Sequence, residues 1–192
     1  MRTWTGQLSP LPSNGDAGRV DPFDIVMLLG RKRRFGDNGD LEFSVLHHSS
    51  LVAIIWTIAG FPQEKMIYAF VHDFHEAYTG DIPSPIKNIT PEVREAIRAL
   101  ETMLDGKIYD FLGIEHPDEE TLRMVKLCDK ASYIMESMIT GPPGSDDIRQ
   151  LKKENPNPEI WSIVERVMPH LGYVSKTVKR KNPNRNHEAY GA

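Results

Sequence analysis

The sequence predicts an all-α bundle, on three observations. Apolar residues recur at three- and four-residue spacing through most of the 192-residue chain. Asp-Pro, Thr-Pro and Asn-Pro pairs, which suit helix starts, alternate with glycines that suit helix stops. No pair of alternating apolar runs suggests a hairpin, and no internal repeat is visible.

The elements are read in chain order. Residues 1–20 hold Pro10, Pro12, Gly15 and Gly18 and read as an extended arm. Asp21 is a good N-cap and Pro22 a good first helical residue, with Phe23, Val26, Leu28 and Leu29 expected inward until Gly36. A second helix is expected over 44–59, capped by Ser44 and stopped by Gly60. A third covers 63–78 and closes at Gly80. The segment from Asp81 to Asn88 carries Pro83 and Pro85 and reads as a rigid loop. Thr90-Pro91 starts a helix to Leu112 whose stripe is Val93, Ile97, Leu100, Leu104, Ile108 and Phe111, and Gly113 stops it. The next helix spans 118–139, with Asp118, Glu119 and Glu120 near its positive end. A short helix follows near 145–153, and Asn157-Pro158 begins a last one through Val167, ended by Pro169. From 175 the chain is basic, rich in Asn and Pro, and expected to be mobile. The expected organisation is therefore an arm (1–20), one domain (21–174) and a tail (175–192).

Composition narrows the function. Cys128 is the one cysteine, so no disulfide can form within the chain and a reducing compartment such as the cytoplasm fits. The start, MRTWTGQLSP, lacks the apolar stretch of a signal peptide, and no run approaches the ~18 apolar residues of a membrane span. A net charge of -4 argues against wholesale coating of nucleic acid. The cluster Arg31, Lys32, Arg33 and Arg34, together with the basic tail, keeps nucleic-acid binding as a competing reading, marked by steep salt dependence.

The chemistry-bearing residues lie on apolar stripes. His48 shares one with Val52 and Ile55, Asp73 with Met66, Ala69 and Phe70, and Asp129 with Leu122 and Val125. A buried carboxylate without a partner costs several kcal/mol or gives up its charge. A divalent metal is the simplest partner that three such positions can share. A lone histidine on an apolar face is usually a core histidine, and a lone aspartate there caps a helix or pairs with arginine. The ordered set His48, His72-Asp73, Asp129 across successive helices is far more specific. Two imidazoles and two carboxylates suit Mn, Fe, Co, Zn or a similar ion and leave positions for water or substrate oxygen.

The stretches RRFGDNGDLEFSVLHHSSLVA, HDFHEAYTGDIPSPIK and KLCDKASY resemble the HD-domain phosphohydrolases, in the branch of bacterial 5′-deoxynucleotidases and phage dATP triphosphohydrolases. The resemblance runs from about Asp21 to Met138, and the string HD-x-x-E-x-x-x-G-D-x-P carries most of its specificity. It implies an HD-domain helical bundle with His48, His72, Asp73 and Asp129 as metal ligands, for Mn, Co, Zn or Mg. Glu76 and Asp81 fall where the family keeps its catalytic acids. Arg34 falls where the family contacts phosphate and sugar. Phe35 stands where several relatives carry Trp beside the deoxyribose. His47 stands where relatives often have Glu or Gln, so two adjacent histidines compete for one ligand role. His48 is preferred because its stripe is the apolar one.

The expected activity is metal-dependent hydrolysis of 2′-deoxynucleotides. A dNTP triphosphohydrolase preferring dATP comes first, and a 5′-deoxynucleotidase acting on monophosphates is the alternative. A nucleotide sensor without turnover is a further reading, against which Glu76 and Asp81 count. Glu76, one turn after His72, can move a proton, and Asp81 can hold the same water or the leaving group. The bland reading of Glu76 is a surface acid. Arg34 and Lys87 are candidates for the phosphates, Arg34 through its planar fork, whereas Arg31 and Lys32 read as a solvated helix end. Phe35 packs on sugar or base, or in the core. His75 is either a supporting group or a surface residue, and Tyr133 lines the pocket or fills core. The resemblance also implies a homo-oligomer, and the cytoplasm of a host for a phage protein.

Overall fold

Helices begin where a side chain satisfies the first amides and end where a left-handed residue is available. The computed structural model describes residues 3–11, 18–34, 43–139 and 147–181. It is built of α1 (Pro22–Arg31), α2 (Val45–Ala59), α3 (Met66–Val71), α4 (Glu76–Thr79), α5 (Ser84–Lys87), α6 (Pro91–Leu112), α7 (Glu119–Ile139), α8 (Ile148–Glu154) and α9 (Pro158–Lys181). An isolated antiparallel bridge pairs Arg33 with Ser44 beside the helices. The Asp21 carboxylate accepts from the Phe23 and Asp24 amides to open α1. Ser44 and Thr90 do the same for α2 and α6, and Gly60 and Gly113 end those helices at φ +81° and +66°. Among the described residues no helix is long and apolar enough to cross a membrane.

Helix α2 is the central element, packed against α1, α3, α7 and α9. One apolar cluster joins its Val52, Ile55 and Trp56 to α7, α8 and α9. A second joins Ile25 and Leu29 of α1 and Val45 of α2 to Val71, Tyr78, Leu104 and Ile108. His48 lies between Val45 and Val52, one turn from each, where the two clusters meet. The site is thus placed in the seam between two cores.

Several sequence expectations change in the structure. Leu29 is buried as expected, but Phe23 and Val26 are exposed and α1 buries Ile25 in their place. The helix stops at Arg31 because Lys32 turns away, and its ammonium binds the carbonyls of Glu76 and Ala77 at the end of α4. Lys32 is therefore no solvated helix end, whereas Arg31 stacks over the Trp4 ring at 3.8 Å and is exposed. On α6, Tyr109 is buried and Phe111 exposed; on α7, Leu122 is exposed. The rigid loop contains the single turn of α5.

The third expected helix is broken into a 3₁₀ turn (Gln63–Lys65), α3 and α4. Between α3 and α4 the amides of Phe74, Glu76 and Ala77 bond three residues back, to Val71, Asp73 and Phe74. Such a tightened turn stacks residues three apart. It therefore presents His72 with His75, and Asp73 with Glu76, in pairs. Pro169 does not end the last helix, since α9 runs to Lys181. Val167 and Leu171, on either side of Pro169, both pack on the core around α2 and α7, and that packing offsets the bond the proline cannot make.

Candidate metal centre

The four residues expected to share a cation come together. His48 Nε2 lies 3.3 Å from His72 Nε2, 3.3 Å from Asp73 Oδ2 and 3.4 Å from Asp129 Oδ1. His72 Nε2 lies 3.2 Å from Asp73 Oδ2. His48 comes from α2, the His72-Asp73 pair from the turn after α3, and Asp129 from α7. His48 is fully buried, but the side chains of Asp73 and Asp129 keep 18% and 30% exposure, so the cluster opens to solvent on its acidic side.

Both imidazoles are anchored through the other ring nitrogen. His48 Nδ1 lies 2.5 Å from Glu136 Oε1, and His72 Nδ1 lies 2.9 Å from the Ala69 carbonyl. A proton on each Nδ1 serves those acceptors and leaves each Nε2 with a lone pair facing the cluster. His48, His72 and Asp73 offer ligand atoms that all lie within 4.8 Å of one another, and Asp129 borders them through His48; two nitrogens with carboxylates suit a divalent transition metal. His47 is excluded from this set. Its Nδ1 sits 3.1 Å from the Ser44 amide, closing a capping box at the start of α2.

Glu136 was not singled out in the sequence. It lies on the Asp129 stripe of α7, two turns on, with Ser132 between them. Ser132 Oγ donates to Glu136 Oε1 at 2.5 Å, and Arg34 Nε donates to Glu136 Oε2 at 3.3 Å. An acid directly after Ile134 and Met135, seven residues beyond Asp129, was the available signal. Lys32 was also missed as a site residue, because its contacts with Glu76 and Ala77 are 44 and 45 residues away.

Arg34 joins the centre to the candidate acids. Its Nη1 is 3.8 Å from Asp81 Oδ2 while Nε holds Glu136. Backbone pairing of Arg34 with Phe43 and of Val45 with Lys32 sets it there. Glu76 is buried beside Asp73. Lys87 does not reach into the cluster with a free ammonium, since Glu101 Oε1 binds it at 2.7 Å. Phe35 lies outside the described residues. His75 is buried, with Nδ1 2.9 Å from Asp105 Oδ1 on α6, so it is no surface residue. Tyr133 is half-buried against the core.

The charges are strongly coupled. Burial disfavours the imidazolium of His48, yet Glu136, Asp129 and Asp73 raise its pKa well above the ordinary histidine value, so a cation binding at Nε2 must displace a proton there. Burial likewise opposes the charge on Asp73, and His72 and His48 override it, keeping the carboxylate well below its usual range. Glu76 goes the other way. Burial and the nearby Asp73 and Asp81 charges push it up to about 8.

The chain is similar to known proteins in sequence and in fold. The profile described as 5′-deoxynucleotidase YfbR-like matches residues 44–155, which include His48, His72, Asp73, Asp129 and Glu136. The chain is 33% identical over 106 residues to a 5′-deoxynucleotidase of Vibrio cholerae, covering 48% of this chain and 54% of that one. It is 31% identical over 87 residues to the dATP triphosphohydrolase of Cyanophage S-2L, covering 43% and 47%. The chain thus spans about half the length of these curated relatives. Its fold is similar to the Cyanophage S-2L HD phosphohydrolase (DatZ) bound to dA and one catalytic Zn2+ ion, with a TM-score of 0.55 at 20% identity over 84% of this chain and 98% of that one. The profile covers more than half of the chain, and the chain belongs to the 5′-deoxynucleotidase YfbR-like family of HD phosphohydrolases.

Proposed function

We propose that the chain is a metal-dependent phosphohydrolase of 2′-deoxynucleotides, with His48, His72, Asp73 and Asp129 as the cation ligands. The observation that supports this most is the convergence of two anchored imidazoles and two carboxylates within 3.4 Å of His48 Nε2. A divalent cation supplies such a site with positive charge for a phosphoryl oxygen and a water of lowered pKa. The remaining work falls to the protein. Arg34 presents a guanidinium at the rim that can orient a phosphate and offset its charge. Glu76, protonated near neutrality through its burial and its acidic neighbours, can give a proton to the departing 5′ oxygen. Asp81 holds Arg34 from the other side and keeps the fork in place.

Deoxynucleoside triphosphate hydrolysis and monophosphate hydrolysis break the same bond, between the 5′ oxygen and the first phosphorus. They differ in what that phosphorus carries. Our first choice is a dNTP triphosphohydrolase acting on dATP, releasing deoxyadenosine and triphosphate. The likeness over 98% of a dA-bound HD phosphohydrolase supports it. The 5′-deoxynucleotidase reading stands second. It is favoured by the matching profile and by the fact that the Lys32 and Lys87 ammoniums are already held by protein oxygens, leaving fewer cations for a long phosphate chain. A homo-oligomer belongs to the same reading, and light scattering of the purified chain tests it.

Purified protein is incubated with dATP and with dAMP, each with Mn, Co or Zn. Triphosphate from dATP supports the first reading, and inorganic phosphate from dAMP supports the second. No turnover of either with any of the metals overturns the enzyme reading.

A further inference from the structure

Glu76 is aimed by its backbone. Its side chain is buried, with 4% of the residue exposed, and Oε2 has no hydrogen-bond partner among the described residues. The helix that carries it, α4, is a single turn of four residues with no side-chain cap at its start. One turn has no stability of its own, because nucleating a helix fixes several residues for one hydrogen bond. Where the Glu76 carboxyl stands is therefore set by what α4 is fastened to.

The stretch after α1 supplies polar fastenings. Lys32 has left the helix, with φ -82° and ψ 113°. Its half-buried ammonium donates to the carbonyl oxygen of Glu76 and, at 2.8 Å, to that of Ala77. The Glu76 carbonyl also accepts from the Gly80 amide at 2.9 Å. Carbonyls at the end of a helix carry partial negative charge and are stabilised by a cationic donor. The Lys32 carbonyl in turn accepts from the Val45 amide at 2.8 Å, and Val45 opens α2 three residues before His48. Lys32 thus ties the backbone of the candidate acid to the helix that carries His48. At the other end of α1, the Asp21 amide donates to the Tyr78 hydroxyl at 3.3 Å, so α4 is held from both sides.

From these contacts we propose that Lys32 is a positioning residue for the hydrolysis, holding α4 so that the Glu76 carboxyl meets the departing 5′ oxygen. The inference deepens the proposed function and rests on it, because Glu76 is the proton donor only in that reading. A phosphate-binding role for Lys32 fits less well, since its ammonium already faces two protein oxygens. Misplacing a reacting group by about 1 Å costs up to about 100-fold in rate.

The test is steady-state turnover of dATP and dAMP with Mn2+ by the whole chain, with calorimetric Mn2+ titration and hydrogen exchange at the Gly80 amide. Lys32→Met keeps the apolar stem and removes the donor. It is expected to lower kcat about 10- to 100-fold, to leave KM within about twofold and Mn2+ affinity unchanged, and to speed exchange at Gly80. Lys32→Gln keeps a donor and is expected to lose less kcat in the same pattern, and it carries the test if Lys32→Met does not fold. A raised KM at unchanged kcat makes Lys32 a phosphate contact and overturns the inference. Faster Gly80 exchange at unchanged kcat leaves Lys32 a contact of the fold alone and also overturns it. No turnover by the wild-type chain overturns the proposed function itself, whereas equal turnover by wild type and variants overturns this inference only.

Discussion

Replacing Glu136 by glutamine isolates what the buried carboxylate does for the metal centre. Glu136 is fully buried, and Oε1 serves both His48 Nδ1 and Ser132 Oγ at 2.5 Å. Glutamine has the same shape and can keep its carbonyl on those two donors. Its NH2 must then face Arg34 Nε, so two donors meet where the carboxylate accepted at 3.3 Å. His48 keeps its tautomer and loses the negative charge that raises its basicity. Loss of such a partner costs about 10- to 100-fold in metal affinity, or about 1.4–2.7 kcal/mol. Fold stability falls as well, by about 3 kcal/mol, the low end for a broken buried pair, because Asp81 still faces Arg34. Calorimetric titration with Mn2+ reads the first effect, and urea unfolding in chelator reads the second. Glu159→Gln, at an exposed ion pair with Arg123, is the control and should change neither. An Mn2+ affinity for Glu136→Gln within twofold of wild type would refute the orienting role.

Three other substitutions probe separate parts of the molecule. Glu76→Gln should lower kcat by about 10²–10⁴-fold with KM little changed, and a rise in KM alone contradicts the proton-transfer role. Burial opposes the charge of Asp24, but hydrogen bonds from Thr3 and Thr5 hold its carboxyl below the ordinary value. Its stabilising effect is therefore present above about pH 4 and is lost as pH falls through the lowered folded value. Asp24→Asn should melt well below wild type at pH 7 and converge with it in acid, and a gap in melting temperature independent of pH counts against this. Gly18→Ala would place a Cβ 1.6 Å from the Leu8 carbonyl oxygen, beside the 2.8 Å bond from the Gly18 amide to Ser9. The arm must shift, at about 1–3 kcal/mol, and an unchanged urea midpoint rules out that packing.

Much of the site was legible because its residues are chemically unusual where they stand. His48, Asp73 and Asp129 interrupt apolar stripes, and the structure brings them with His72 to one place. Leu122 is nevertheless exposed and Asp73 lies in a turn, so neither keeps the buried helical stripe that its spacing suggests. Lys87 shows the limit of reading charge alone, because its partner Glu101 is on another helix. His75 could not be assigned, because its burial depends on Asp105 of α6. The break between α3 and α4 carried no proline or glycine to mark it.

The order of residues by itself determined where α1, α2, α6 and α9 start and where α2 and α6 stop, since caps and apolar periods act over at most a few neighbours. It also determined which side chains have metal chemistry. Only the packed chain decided between His47 and His48, gave His48 a carboxylate 88 residues away, and turned Lys32 onto the end of α4. Those outcomes depend on how α2 sits against α7 and α1, and no local pattern encodes the distance between segments so far apart along the backbone.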